Sequence, residues 1–197
     1  AEALLRLTAE AQRRLLGDEH HDTLLTQRTL TWVWIEEGRL AEAEQQLERI
    51  LDGQRRSLGD DHRETLSTMN SLAVAYTGQR RYAKAEALHS QVLELRSRTL
   101  GPTDRDTLKS MTNLAVVSFY QGRLEDAEAL FRDVLEIQRE ALGPEHPTTL
   151  GSATNLAVIL ERLERNDEAE TEWRTYADAL GPDAPALHRS LGHAASR

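Results

Sequence analysis

The sequence predicts an all-α solenoid of stacked antiparallel helix pairs. Three observations predict it. A Leu-Gly pair recurs at a fixed spacing. Apolar residues draw a helical stripe on each side of a short polar turn. Start and stop signals fall at the same register in successive units. The pairs are Leu16-Gly17, Leu58-Gly59, Leu100-Gly101 and Leu142-Gly143, each 42 residues after the last, and Leu180-Gly181 follows 38 residues later. A period of this size marks supersecondary units that bury their apolar faces only against one another.

The elements follow in order. Residues 1–17, AEALLRLTAEAQRRLLG, align without a gap to 127–143, AEALFRDVLEIQREALG. The chain is therefore expected to open, over 1–15, on the second helix (helix B) of a truncated unit. Whole units are expected at 16–57, 58–99 and 100–141, with a shortened one at 142–179. Residues 180–197 read as the start of a further unit or a terminal helix. The truncated ends suggest a fragment of a larger protein, with about ten helices in this stretch.

In the unit 58–99, Leu66, Met69, Leu72, Ala73 and Tyr76 recur at helical offsets of three and four. The turn is expected at Gly78 with Gln79-Arg80-Arg81, and a second stripe runs through Ala85, Leu88, Val92, Leu93 and Leu95. Leu100-Gly101-Pro102 reads as a stop, since glycine past a helix end takes the left-handed cap and proline cannot continue the helix. In the unit 142–179, Asn166-Asp167 is read as replacing the usual turn. Starts are marked as well. His20, His62, Asp104 and His146 share the fifth position of their units, and Asp is a strong N-cap type. Asp22, Glu64 and Asp106 lie in the first turn, where the helix dipole favours anions.

The pattern resembles the tetratricopeptide repeat, W-x2-L-G-x2-Y followed by A-x3-F. Here it reads Met69-x2-Leu72-Ala73-x2-Tyr76 and Ala85-x3-His89, then Met111-x2-Leu114-Ala115 and Ala127-x3-Phe131. Ala43-x3-Leu47 and Ala169-x3-Trp173 continue the second half of the motif. The motif's terminal proline is absent, and the period is 42 residues where the usual one is about 34. LGPEHPTTL before a first helix, with Asn113-Leu114-Ala115 and Asn155-Leu156-Ala157 within two of them, makes the chain similar to the kinesin-light-chain subclass. The resemblance covers essentially the whole sequence. It implies a right-handed superhelical solenoid, with the first helix (helix A) of each pair lining a concave groove.

On that implication the candidate peptide-binding residues are Arg28, Trp32, Asn70, Lys109, Asn113, Val116, Tyr120, Asn155 and Arg162. Asn113 and Asn155 are equivalent positions one repeat apart. An amide offers both a donor and an acceptor, so such residues suit a peptide backbone of any sequence; they also suit bridging between neighbouring helices, and both readings stay open. Trp32, Val116 and Tyr120 would supply apolar contact, and Trp and Tyr are common interface anchors. Arg28, Lys109 and Arg162 would pair with carboxylates. The carboxylate clamp of chaperone-binding members is matched only at Arg28 and Lys109; Trp32, Ser71 and Asn113 depart from it, so a chaperone-tail receptor is not expected.

Composition narrows the remaining classes. The net charge is −9, with 39% hydrophobic and 29% charged residues and no cysteine. Disulfides and thiolate metal sites are excluded, and nucleic acid is disfavoured as a partner. No apolar run approaches a membrane span and no signal-peptide pattern opens the chain, which leads to the expectation of a cytoplasmic protein without membrane contact. His20-His21-Asp22 does not read as a metal site, because His20 recurs with the helix start and adjacent residues do not share a helix face. His188 and His193 are too far apart to share a face. No carboxylate, serine or histidine set carries a nucleophile, base and oxyanion donor together, and no phosphate loop is present. The expectation is a non-enzymatic protein-interaction scaffold that needs no cofactor or metal. The alternative is an oligomerisation or autoinhibitory arm of a multidomain signalling protein, associating through its solenoid ends.

Overall fold

The computed structural model describes residues 2–180. The expected further unit at 180–197, with His188 and His193, lies outside them apart from its first residue. All regular elements among the described residues are α-helices, and they divide between Gly122 and Arg123 into two compact units.

The first unit holds α1 (Glu2–Leu16), α2 (His21–Glu36), α3 (Leu40–Leu58), α4 (Arg63–Gly78), α5 (Tyr82–Leu100) and α6 (Arg105–Tyr120). Each packs against the next, and in addition α2 touches α4 and α4 touches α6. The first helices of the successive pairs therefore stand side by side. The second unit holds α7 (Leu124–Leu142), α8 (Pro147–Arg162) and α9 (Asn166–Leu180), with α8 packed on both neighbours.

Helix starts obey one rule. The Nδ1 atoms of His20, His62 and His146 accept the backbone N–H two residues on at 3.2 Å, and Asp104 Oδ1 does the same at 2.8 Å. The recurring histidines are helix caps, each satisfying an otherwise orphaned donor.

Helix stops differ from expectation. Gly59, Gly101 and Gly143 have φ of 87°, 93° and 88° with ψ of 170°, 162° and 161°. This is not the left-handed helical cap. It is the extended region of positive φ that is essentially restricted to glycine. The chain leaves each helix extended and reaches the next N-cap within three residues. Nothing lies within 4 Å of where a Cβ would stand at these sites, so the demand for glycine is conformational.

The left-handed residues sit instead in the hairpin turns, at Gly38, Arg80, Gly122 and Glu164, with φ of 75°, 60°, 78° and 61°. They too are spaced by 42 residues. Arg80 and Glu164 hold this conformation without glycine, at a cost of about 1–2 kcal/mol each. Gly78, expected in the turn, is the last residue of α4, and a Cβ there would meet Leu40 Cδ1 at 2.9 Å. Its small size serves close approach. Likewise Asn166 opens α9, and the turn before it, centred on Glu164, matches the others.

The core repeats with the sequence. Ala43 and Ala85 in the first unit, and Ala127 and Ala169 in the second, are buried. One helical turn on, Leu47, His89 and Phe131 are equally buried. Arginines after the hairpin turns reach back to the preceding second helix: Arg39 to Glu2 at 2.9 Å, Arg81 to Glu44 at 2.6 Å, and Arg165 to Glu128 at 2.6 Å. Partly exposed pairs of this kind add little stability singly.

Candidate peptide-binding groove

In the first unit, α2, α4 and α6 bring Arg28, Trp32, Asn70 and Lys109 to one cleft of about 190 Å³. Thr29, Ser67, Ser71, Arg96 and Asp106 complete its lining. The four predicted residues lie on three separate helices, and the repeat register alone unites them. Trp32 is half-buried, and Lys109 Nζ stands 6.0 Å from the centroid of its ring, within cation–π range.

Asn113 Nδ2 donates to Asn70 Oδ1 at 2.8 Å. Bridging between neighbouring helices is thus one role these amides have. The pair uses one donor of Asn113 and one acceptor of Asn70, which leaves the Asn70 NH₂ and the Asn113 carbonyl for other partners. Val116 is half-buried. Tyr120 is exposed but stacks on Tyr82, with ring centroids 5.8 Å apart and planes 7° from parallel; it is not among the residues lining the cleft. Asn155 and Arg162 lie in α8 of the second unit, both exposed.

Arg96 is the residue that sequence reasoning missed. It belongs to α5, a second helix of a pair, yet it lines the cleft and is only 3% exposed. Its Nη1 donates to the Asp106 carbonyl at 2.9 Å and to Ser110 Oγ at 2.8 Å. Burial lowers its pKa, and the negative charge of Asp106 opposes that shift; a guanidinium stays protonated regardless. A signal existed. Gln12, Gln54, Arg96 and Gln138 occupy one register at 42-residue spacing, and Arg96 alone among them is charged.

Charges around the cleft are partly paired. Arg28 Nη1 lies 3.2 Å from Glu64, and this nitrogen is buried without a hydrogen bond of good geometry. Asp106 is 3.2 Å from the exposed Arg63. A second hollow, of about 350 Å³, lies among α1, α2 and α3 and is lined by Arg6, Gln27, Trp34 and Gln46 among others. No helix among the described residues is long and apolar enough to cross a membrane.

The tetratricopeptide repeat model matches residues 33–98, 64–140 and 106–172. No curated protein matches the chain. Among solved structures, a putative kinesin light chain from Podosopora anserina with nearly identical TPR-like repeats is 26% identical, with a TM-score of 0.74, covering 94% of this chain and 88% of that one. BtubC (BKLC) from P. vanneervenii is 19% identical, with a TM-score of 0.77, covering 94% and 75%. PlcR from Bacillus thuringiensis, solved in complex with the peptide PapR7 and DNA, is 15% identical, with a TM-score of 0.69, covering 100% and 70%. The paired helices, the shared registers and the extent of the matches agree: the chain belongs to the tetratricopeptide repeat family, with repeats of the kinesin-light-chain type.

Proposed function

We propose that this protein is a non-enzymatic interaction scaffold that binds an extended segment of a partner protein along α2, α4 and α6. The cleft carries this reading: Trp32 supplies an apolar anchor, Arg28 and Lys109 supply charge, and Asn70 with Asn113 keeps amide groups for a passing backbone. Extended peptides need such a mixture, because their backbone groups must be paired when they leave water. The peptide held by PlcR, which shares the fold, supports a peptide as the kind of partner. Val116 and Tyr120 would extend the contact within the first unit; Asn155 and Arg162 would offer the same kinds of group on α8 of the second unit.

The test is capture from the source lysate by the wild type and by a folded Trp32→Ala/Asn113→Ala/Asn155→Ala variant. The expected result is a protein recovered at least tenfold less by the variant, since a Trp anchor alone commonly contributes more than about 1.4 kcal/mol. Equal recovery overturns the groove.

One observation favours a second reading, self-association. Leu4, Leu7 and Leu15 on α1 are 70%, 66% and 83% exposed, an apolar series whose burial would favour a partner surface. Light scattering over a hundredfold concentration range then reports a rising mass, reversed by Leu4→Glu/Leu7→Glu. A constant monomer mass removes this reading.

A further inference from the structure

The hollow of about 350 Å³ among α1, α2 and α3 stands where the next repeat has packed core. The 42-residue register shows what opens it. Ala9 occupies the position of Leu51, Leu93 and Leu135. Gln27 occupies that of Met69 and Met111, and Gln46 that of Leu88 and Leu130. Leu51 and Met69 are buried core residues, and Leu88 packs against them. In the last repeat Ala153 and Glu172 hold the two latter places, and Glu172 is taken up by Arg139 at 2.6 Å. In the first repeat one large apolar side chain is thus cut back to a methyl group, and two more are exchanged for amides. Burying an amide that is not fully hydrogen-bonded costs stability. The next repeat shows that apolar side chains serve the fold at all three positions.

The two amides satisfy each other only in part. Gln46 Nε2 donates to Gln27 Oε1 at 3.0 Å, and among the described residues neither side chain makes a further hydrogen bond. The Gln27 NH₂ and the Gln46 carbonyl are left over. Turning both amides over reverses the bond but again leaves one NH₂ and one carbonyl. The apolar lining is Ala9, Leu30 and Trp34. Trp34 is held in place: its Nε1 donates to Glu2 at 3.0 Å, and the Arg6 guanidinium lies 5.5 Å from the ring centroid. The charges that line the hollow are already paired, Arg6 with Glu2 at 2.7 Å, Glu10 with Arg14 at 2.5 Å and Arg13 with Asp18 at 3.7 Å.

We propose that this hollow binds a small uncharged planar molecule with an amide N–H and C=O on one edge, a cyclic amide of the nucleobase kind. The paired glutamines would present a donor and an acceptor to that edge, while Leu30 and Trp34 cover the ring. The paired charges leave no unmatched ion to select a charged ligand. The volume corresponds to roughly a dozen waters and lies at the small end of ligand pockets, room for one or two fused rings. This site is separate from the groove and does not rest on that reading. The two openings share no lining residue, and Trp34 lies two residues beyond Trp32 on α2, about 200° around the helix.

The test is titration of the protein with uracil, uridine and hypoxanthine, and with toluene as an apolar control of similar size, followed by the side-chain amide NMR signals. Loss of two of those signals in Gln27→Met/Gln46→Leu assigns them. That variant restores the apolar pair of the next repeat, and Ala9→Leu fills the hollow with the leucine found there. Circular dichroism checks both folds, and either variant suffices if the other is unfolded. The expected result is that at least one cyclic amide shifts the Gln27 and Gln46 signals with a Kd of about 1 mM or tighter. Binding is at least tenfold weaker on each folded variant, and toluene binds wild type at least tenfold more weakly than the cyclic amide. Uracil against uridine tells a free base from a nucleoside, and a shift by either supports the class. Signals unmoved by every cyclic amide at about 10 mM overturn the proposal and make the hollow a water-filled space. Toluene binding as well as the cyclic amides overturns the role of the glutamines, and equal binding to wild type and both variants overturns the site.

Discussion

Lowering the pH from 7 to 5 is expected to destabilise the protein by about 2 kcal/mol through His89 alone. His89 is buried in the row otherwise filled by Leu47 and Phe131, and its Nδ1 has no hydrogen-bond partner. Burial, with the nearby Arg96 charge, pulls its pKa down to about 4 from an ordinary value of 6.5. The folded state therefore holds the imidazole neutral, while the unfolded chain protonates it as the pH falls through 6.5. Stability is fully present above that value and is lost down to about pH 4, where the folded state begins to titrate as well. The whole span amounts to roughly 3 kcal/mol. Carboxylates held by arginines act later: Glu2, hydrogen-bonded by Arg39, Trp34 and Arg6, is pulled down to about 2. Denaturant unfolding at pH 7 and pH 5 tests the assignment against His89→Leu, the residue found at position 47. The variant should lose about 2 kcal/mol less than wild type over that interval, and gain stability at pH 7 because the orphaned nitrogen is gone. Equal losses would clear His89 of the effect.

His89 also shows what a sequence hides. Its place in the A-x3-F motif is legible, because the 42-residue register aligns it with Leu47 and Phe131. Its burial without a partner is not, since that depends on what the neighbouring helices present. The same division runs through the fold. Helix pairs, alanine contacts and caps at His20, His62, Asp104 and His146 follow from local chemistry repeated at one period. The turn at Gln79-Arg80-Arg81 is legible although Gly78 belongs to α4, whereas the turn expected at Asn166-Asp167 lies before them, because Glu164 occupies a left-handed position that glycine usually marks. The glycine stops can be located, but glycine permits several conformations and its identity does not choose among them. In the groove, register on the first helices unites Arg28, Trp32, Asn70 and Lys109. Arg96 escapes because it comes from a second helix, and its reach between helices depends on side-chain length and packing.

Replacing Arg96 by Met is expected to raise stability by about 1–4 kcal/mol. The guanidinium is buried against neutral acceptors, so in the unbound protein its desolvation is offset only in part. Methionine approximates its length, fills the same space with a flexible apolar chain, and leaves no acceptor stranded. Ser110 Oγ already donates to the Asp106 carbonyl at 3.1 Å, so that oxygen keeps a partner when Arg96 is gone. Removing the charge also lifts one of the two influences that depress the His89 pKa. The acid-induced loss between pH 7 and pH 5 should then shrink, and Arg96→Met and His89→Leu should be less than additive at pH 5. Unfolding of the single and double variants at both pH values measures this directly. A stability loss in Arg96→Met at pH 7 would mean that the two hydrogen bonds to Asp106 and Ser110 outweigh the burial of the charge. Arg96 would then be a structural residue, kept for packing α5 against α6. A gain would mean that the cost of burying the charge outweighs those two hydrogen bonds.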